Sequence, residues 1–234
     1  MKSYTLSDKG KRKINQDYVL TKSISPDAYL FLLADGMGGY EDGEIAAKLV
    51  AEEISKYLLE LSNVTVEDIQ SAINQANLSL YELKRHKDKK AGATVGGVYL
   101  KSNTAICFWV GDVKIFHFHN RVLVFESKPH SLMNEVMNNG SITNTDEAVR
   151  YKHVVTRSVQ GEPSKSEVEI KVIDDMTNED LLLISTDGVH DILEGIQIQR
   201  ILKSAKNMDE TLKDIEFRCA IDSKDNYSAI FIQW

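Results

Sequence analysis

The chain has 234 residues, of which 28 are basic and 35 acidic, giving a formal net charge of −7, and 42% are hydrophobic. That is enough apolar material for one sizeable core. With three prolines (Pro26, Pro129, Pro163) and no Pro/Gly/Ser linker, the expectation is one domain over residues 1–234. So acidic a domain lacks the basic surface that nucleic-acid backbones require. No window approaches the roughly 18 apolar residues of a membrane span, and the first residues carry no apolar stretch suited to a secretory signal. Cys107 and Cys219, far apart in sequence, are expected as free buried thiols of a reducing, cytoplasmic compartment.

In chain order, strands are expected at Ser3–Leu6, Asp17–Ser23 and Tyr29–Ala34, the last stopping at Asp35-Gly36-Met37-Gly38-Gly39. Glu44–Leu61 carries apolar residues at positions 45, 46, 49, 50, 54, 57, 58 and 61, which is a helical stripe. Thr65 to about His86 repeats it, with Glu67 and Asp68 favouring the N-terminal end. Four β-rich runs follow, Thr94–Leu100, Thr104–Val110, Val113–His119 and Arg121–Glu126, and they read as an antiparallel meander. Residues 127–165 are irregular. Val168–Ile173 and Asp180–Ser185 return to strand texture, Ile196–Ser204 and Met208–Ala220 look helical, and Tyr227–Ile232 is a further strand. Strands do not alternate one-for-one with helices, so the pattern favours an α+β fold with helices segregated from antiparallel sheets.

Several acidic residues share a local grammar. Asp35 ends an apolar run and precedes Gly36; Asp187 ends Leu-Leu-Leu-Ile-Ser-Thr and precedes Gly188; Asp225 stands just before a strand; Asp112 follows Gly111 between two strands. Any one Asp-Gly pair is simply a turn. Repeated at strand ends, with Asp17 beside a further strand, such carboxylates suit hard divalent cations, which take oxygen ligands. Glycine beside Asp35 would let a backbone carbonyl join them.

In order along the chain, Arg12-Lys13-Ile14-Asn15-Gln16-Asp17, Asp35-Gly36-Met37-Gly38-Gly39, Gly92-Ala93-Thr94, Gly111-Asp112, Thr156-Arg157, Ser185-Thr186-Asp187-Gly188 with Asp191, and Asp225-Asn226 resemble the motifs of metal-dependent protein phosphatases of type 2C, in their compact bacterial form. The resemblance runs from about residue 2 to residue 234. It implies a four-layer α/β/β/α sandwich, two mainly antiparallel sheets face to face with helices outside. It implies hydrolysis of phosphoserine and phosphothreonine in proteins at a centre of two Mn²⁺ or Mg²⁺ ions per subunit, with a weaker third. By that resemblance Asp35 bridges the two ions and the Gly36 carbonyl binds the first. Asp17 stands beside the first as a ligand or one step outside its ligands, Asp187 and Asp225 bind the second, and Asp112 and Asp191 match the third. Arg12 grips the substrate phosphate and, with Asp17 and Asp35, belongs to the catalytic set. Two ions about 3.5–4 Å apart make a shared water acidic enough to attack phosphorus, so no phosphoenzyme is needed. The implied partners are phosphorylated proteins and a cognate Ser/Thr kinase, with no nucleic acid and no membrane, and the implied state is a monomer.

This chain departs from the family pattern at Gln16 (Glu in many relatives), Met37 (often His in animal relatives), Lys114 (Arg), His190 (Trp) and Pro129 (acidic). His117 and His119 would share one face of a strand with no third ligand evident, so a structural role is the simpler account. His130 and His153 flank the irregular segment, expected as a flap over about residues 127–165 that influences substrate choice. The basic run Lys84–Lys90 and His86 within it read as a solvated helix end. A relative that keeps the fold as a binding or sensing module is the competing reading; such proteins usually lose metal-binding carboxylates, and Asp17, Asp35, Asp187 and Asp225 are all present.

Overall fold

The computed structural model describes residues 1–38, 41–87, 91–142, 144–162 and 166–234. Gly39 of the glycine motif, residues 88–90 of the basic run with the His86 side chain, and residues 143 and 163–165 of the irregular segment fall outside that description.

Ten strands form two five-stranded antiparallel sheets. One sheet has the order β1 (Lys2–Asp8), β10 (Tyr227–Gln233), β9 (Asp180–Ser185), β6 (Lys114–His119), β7 (Val122–Glu126); the other has β2 (Asp17–Ser25), β3 (Ala28–Gly38), β4 (Ala91–Lys101), β5 (Thr104–Val110), β8 (Glu169–Ile173). The period-2 alternation of the strands decides the layering. Phe31 and Leu33 of β3 meet Leu182 and Ile184 of β9 and Ile230 and Ile232 of β10 in a core between the sheets. Leu30, Leu32 and Ala34 point the other way, against α1 (Glu41–Leu59) and α2 (Val66–Lys87). Leu181, Leu183, Ala229 and Phe231 face α6 (Gly195–Ser204) and α7 (Met208–Asp222). Both faces of each central strand are therefore buried, and the layers run α/β/β/α as expected. Among the described residues no helix is long and apolar enough to cross a membrane.

The meander is corrected. β4 pairs with β5 and β6 pairs with β7, but β5 and β6 lie in different sheets. The chain changes sheet at Gly111, whose φ of +106° is a conformation other residues adopt only under strain. Val113, just beyond, is fully buried between the sheets. Nor does β3 stop at Asp35: its ladder continues through Asp35↔Thr94, Gly36↔Ala93 and Met37↔Gly92.

Between β7 and β8 lie α3 (Leu132–Asn138), α4 (Thr145–Ala148) and a 3₁₀ turn, Val149–Tyr151. α3 has Ser131 as N-cap, its hydroxyl accepting from the Asn134 N–H. A further turn of helix, α5 (Asp187–His190), occupies what the sequence suggested was a plain Asp-Gly turn.

Candidate metal centre

The strand directions bring one end of both sheets together. The start of β2, the end of β3, the β5–β6 crossover, the end of β9 and the start of β10 all open there. They carry Asp17, Asp35 with Gly36, Asp112, Asp187 and Asp225, so carboxylates scattered over the whole chain come close enough to raise one another's pKa. Asp17 and Asp35 are direct Cα partners across β2 and β3.

The electrostatics measure the crowding. Burial pushes Asp17 up to about 7, against hydrogen bonds from Ser228 and Thr186, and the charges of Asp225 and Asp112 push the same way. Burial, then Asp17, Asp187, Asp112 and Asp225, hold Asp35 well above the ordinary carboxylate range. Asp187 is pushed up to about 8 by burial and then by Asp112, Asp225, Asp191 and Asp17. Asp112 is raised chiefly by burial, with Asp191 adding. Burial and mutual repulsion disfavour the charged form of each of these groups, and a bound cation reverses that logic. Asp17 supplies a second sign of fit: its Oδ2 accepts from the Thr186 hydroxyl at 3.1 Å, while its Oδ1 is buried without any hydrogen-bond partner. The donors are carboxylates and backbone carbonyls, the hard oxygen set that Mn²⁺ and Mg²⁺ prefer.

Backbone contacts set these carboxylates in place. A Cβ on Gly36 would run into the carbonyl of Gly43, and one on Gly43 into the Gln16 side chain and the Gly36 carbonyl. Glycine at both positions lets the end of β3 touch the first turns of α1. The Gly36 N–H donates to the Gln16 carbonyl at 3.1 Å, fixing Gly36 beside the start of β2.

Arg12 sits on the loop between β1 and β2 and donates to Asp225 Oδ2 at 2.6 Å. That carboxylate is the main reason the guanidinium pKa is raised further. Its side chain is 58% exposed, so the remaining donors of the fork are open to solvent.

Two residues that stand in the sequence motifs without an assigned role hold this frame. Asn226 Nδ2 donates to the carbonyls of Lys9 at 2.8 Å and Ile14 at 2.9 Å, and Asn226 Oδ1 accepts from the Gln16 N–H at 2.9 Å. It thereby pins the Arg12 loop at both ends. Thr186 exchanges backbone and hydroxyl bonds with Ser228 while orienting Asp17. The signals were there, an Asn after Asp225 and a Thr before Asp187, but their partners lie far along the chain.

Asp191 extends the cluster on the side of α5, with a carboxylate oxygen within 4.8 Å of one on Asp187. It follows α5, and Lys152 Nζ lies 2.5 Å from its Oδ1. His153 lies beside it, with Nδ1 3.4 Å from Asp191 Oδ2, and the other singled-out histidines play packing roles. His130 is 6% exposed; its Nδ1 accepts from the Gly111 N–H at 3.0 Å, and its N–H donates to the Gly111 carbonyl at 2.8 Å, bracketing the sheet crossover. His117 and His119 do share a face, and both reach Asp180 Oδ1, at 2.7 and 2.9 Å. His190 is buried with Nδ1 3.2 Å from the Ser185 hydroxyl, and burial first, then Lys114 and Lys152, hold its pKa well below the usual value. Lys114 is paired with Glu126 at 2.5 Å. Both cysteines are free and buried.

A family model described as Protein phosphatase 2C matches residues 7–222. The serine/threonine phosphatase stp of Listeria monocytogenes serotype 4b is 27% identical over 214 residues, 87% of this chain and 84% of that one. The structure of the S. agalactiae serine/threonine phosphatase aligns with a TM-score of 0.89 at 25% identity, covering 100% of this chain and 99% of that one. A catalytic domain of the serine/threonine protein phosphatase PstP, solved with 2 manganese ions, aligns with a TM-score of 0.80 at 19% identity over 98% of this chain and 96% of that one, a likeness of fold.

Proposed function

The chain belongs to the protein phosphatase 2C family, and from that premise we propose that it hydrolyses phosphoserine and phosphothreonine esters of proteins at the carboxylate cluster, acting as one catalytic domain over residues 1–234. The observation that carries this reading is the convergence of Asp17, Asp35, Asp187 and Asp225 at one end of the sheets, where burial and mutual repulsion raise three of them and one Asp17 oxygen lacks a partner. Asp35, shared between two divalent ions, would hold them together with the Gly36 carbonyl, Asp17, Asp187 and Asp225. Asp112 and Asp191 would serve a weaker third. When bound, such ions supply a water acidic enough to attack phosphorus near neutral pH and offset the charge of the phosphoryl group.

The chain's own residues do the rest. Arg12 offers a planar fork of donors; one meets Asp225, and those facing outward match the oxygens of a phosphate monoester. Asn226 holds the loop so that the fork is presented ready-made, which reduces the entropy lost on binding. Among the described residues His153 is the histidine that comes close to these carboxylates, at Asp187 and Asp191; we take the proton of the leaving serine or threonine oxygen to come from solvent. The substrates would be proteins phosphorylated by a Ser/Thr kinase, approached by a monomer.

The direct test is phosphate release by the purified chain with Mn²⁺, from an aryl phosphate and from a phosphothreonine peptide, against Asp35→Asn. Turnover of both substrates in the native chain alone is expected. Turnover no greater than that of the Asp35→Asn control would favour the competing reading of a binding or sensing module.

A further inference from the structure

The loop between β1 and β2 gathers positive charge on a chain whose formal net charge is −7: Lys9, Lys11, Arg12 and Lys13 stand within positions 9–13, and all four are exposed. Their starting points are fixed by the backbone. The Arg12 N–H donates to the Lys9 carbonyl at 3.1 Å, and the Gly10 N–H donates to Asp8 Oδ1 at 2.8 Å. Gly10 has a φ of +55°, and a Cβ there would run into the Asp225 carbonyl. The loop therefore lies directly on Asp225, with Lys9 one turn before Arg12 and Lys13 one residue after it.

The charges around this rim are unequally engaged. Arg12 meets Asp225, and Lys11 Nζ donates to the Ile221 carbonyl at 2.7 Å, near the end of α7. The side chains of Lys9, Lys13 and Lys224 have no hydrogen-bond or ion-pair partner among the described residues. Lys224 borders a cleft of about 340 Å³ together with Asp187, Asp222 and Asp225. The acids nearest the loop are already engaged, Asp8 by the Gly10 N–H and Asp225 by Arg12.

We infer that this rim selects phosphoprotein segments that carry Asp or Glu beside the phosphorylated residue, with Lys9 and Lys13 as the specificity-determining residues and Lys224 assisting from the cleft. The inference rests on the proposed function and narrows its substrate class. An extended chain advances about 3.3 Å per residue, so a phosphate on the solvent-open donors of Arg12 brings the neighbouring side chains over the same loop. Each exposed Lys–carboxylate contact contributes little, so together they set a preference and not an absolute requirement. The preference belongs mainly to KM, through charge steering, and weakens as salt screens the pairs.

Three phosphothreonine peptides test this, identical except for Glu, Ala or Lys at the two positions on each side of the phosphothreonine. With the full chain, Mn²⁺ and low ionic strength, kcat/KM is expected to be about tenfold higher for the Glu peptide than for the Ala peptide and lowest for the Lys peptide. The spread should shrink in about 0.5 M NaCl. K9E/K13E should invert the order in favour of the Lys peptide, a change that a merely loosened loop would not produce. K13Q should narrow the spread without inverting it. Equal kcat/KM for the three peptides in the native chain, or the native order retained in K9E/K13E, overturns the inference and leaves the proposed function standing. Hydrolysis of none of the three overturns both.

Discussion

Asp17 and Asp35 face one another as direct partners in the β2–β3 ladder, two like charges where a sheet ordinarily places complementary side chains. Both are driven up by burial and by neighbouring carboxylates. The cluster is thus destabilised by its own carboxylates whenever no cation offsets them.

Asp35→Asn should therefore stabilise the metal-free chain while abolishing phosphate release. Removing one member of an opposed like-charge pair is worth about 1 kcal/mol, or a Tm rise of about 2–4 °C for a chain this long. Thermal unfolding in excess chelator at pH 7 measures it, and a lower Tm for the variant would contradict the reading.

Mn²⁺ should raise the Tm of the native chain in a concentration-dependent way, because the carboxylates converge only in the folded state. At 100 times the dissociation constant one site contributes about 2.7 kcal/mol. Chelation should reverse the shift. Asp187→Ala should show a smaller Mn²⁺ response and no turnover even at saturating metal.

Arg12→Ala should raise KM more than it lowers kcat if the fork binds the phosphate equally in ground and transition states. The Arg12–Asp225 pair is itself half-exposed, at 58% and 40%, so its loss should change stability by less than about 1 kcal/mol. Asn226→Ala should behave differently. It removes three hydrogen bonds and leaves partners of the Lys9–Gln16 loop unmatched, at a cost of about 2–3 kcal/mol, and it should also raise KM by loosening the Arg12 loop. Denaturant melts and steady-state kinetics on the two variants separate presentation of Arg12 from its charge.

Asp180 gives the fold an acid-side dependence remote from the centre. Burial pushes its carboxyl up, but hydrogen bonds from the Thr177 N–H, His119, His117 and the Thr177 hydroxyl outweigh it and bring it down to about 2. A carboxylate depressed on folding stabilises above its unfolded pKa, and that stability is lost as pH falls from about 4 to about 2. Asp180→Asn should cost about 2 kcal/mol at pH 5–7, and the difference should vanish only below about pH 2. His119, raised chiefly by its hydrogen bond to Asp180, works in the opposite sense: its contribution is present below about pH 6.5 and fades as pH rises through its folded value. Urea melts from pH 2 to pH 8 test both signs.

Much of this was legible in the sequence because it is written locally. The stripes of α1 and α2 and the alternation in β3, β9 and β10 are periodicities of one element, and the strand-end carboxylates carry their own signal. What escaped was long-range. β5 and β6 have the texture of successive meander strands, and only Gly111 with its positive φ distinguishes a change of sheet from a hairpin. The extension of β3 past Asp35 depends on the small residues Ala91–Thr94 opposite it. Asn226 finds its partners 210 to 217 positions away, and no local pattern announces that. The third partner of His117 and His119 is Asp180, 63 and 61 positions on.

β1 and β10, with Asp8 beside Tyr227 in register, sew early and late parts of the chain together directly beneath the Arg12 loop. A ribosome adding roughly 5–20 residues per second has made Asp17 and Asp35 many seconds before Asp225 emerges. The nascent chain is therefore a phosphatase without a working centre until β10 is made, and a truncation that removes β10 should disarm the enzyme as completely as the loss of a ligand.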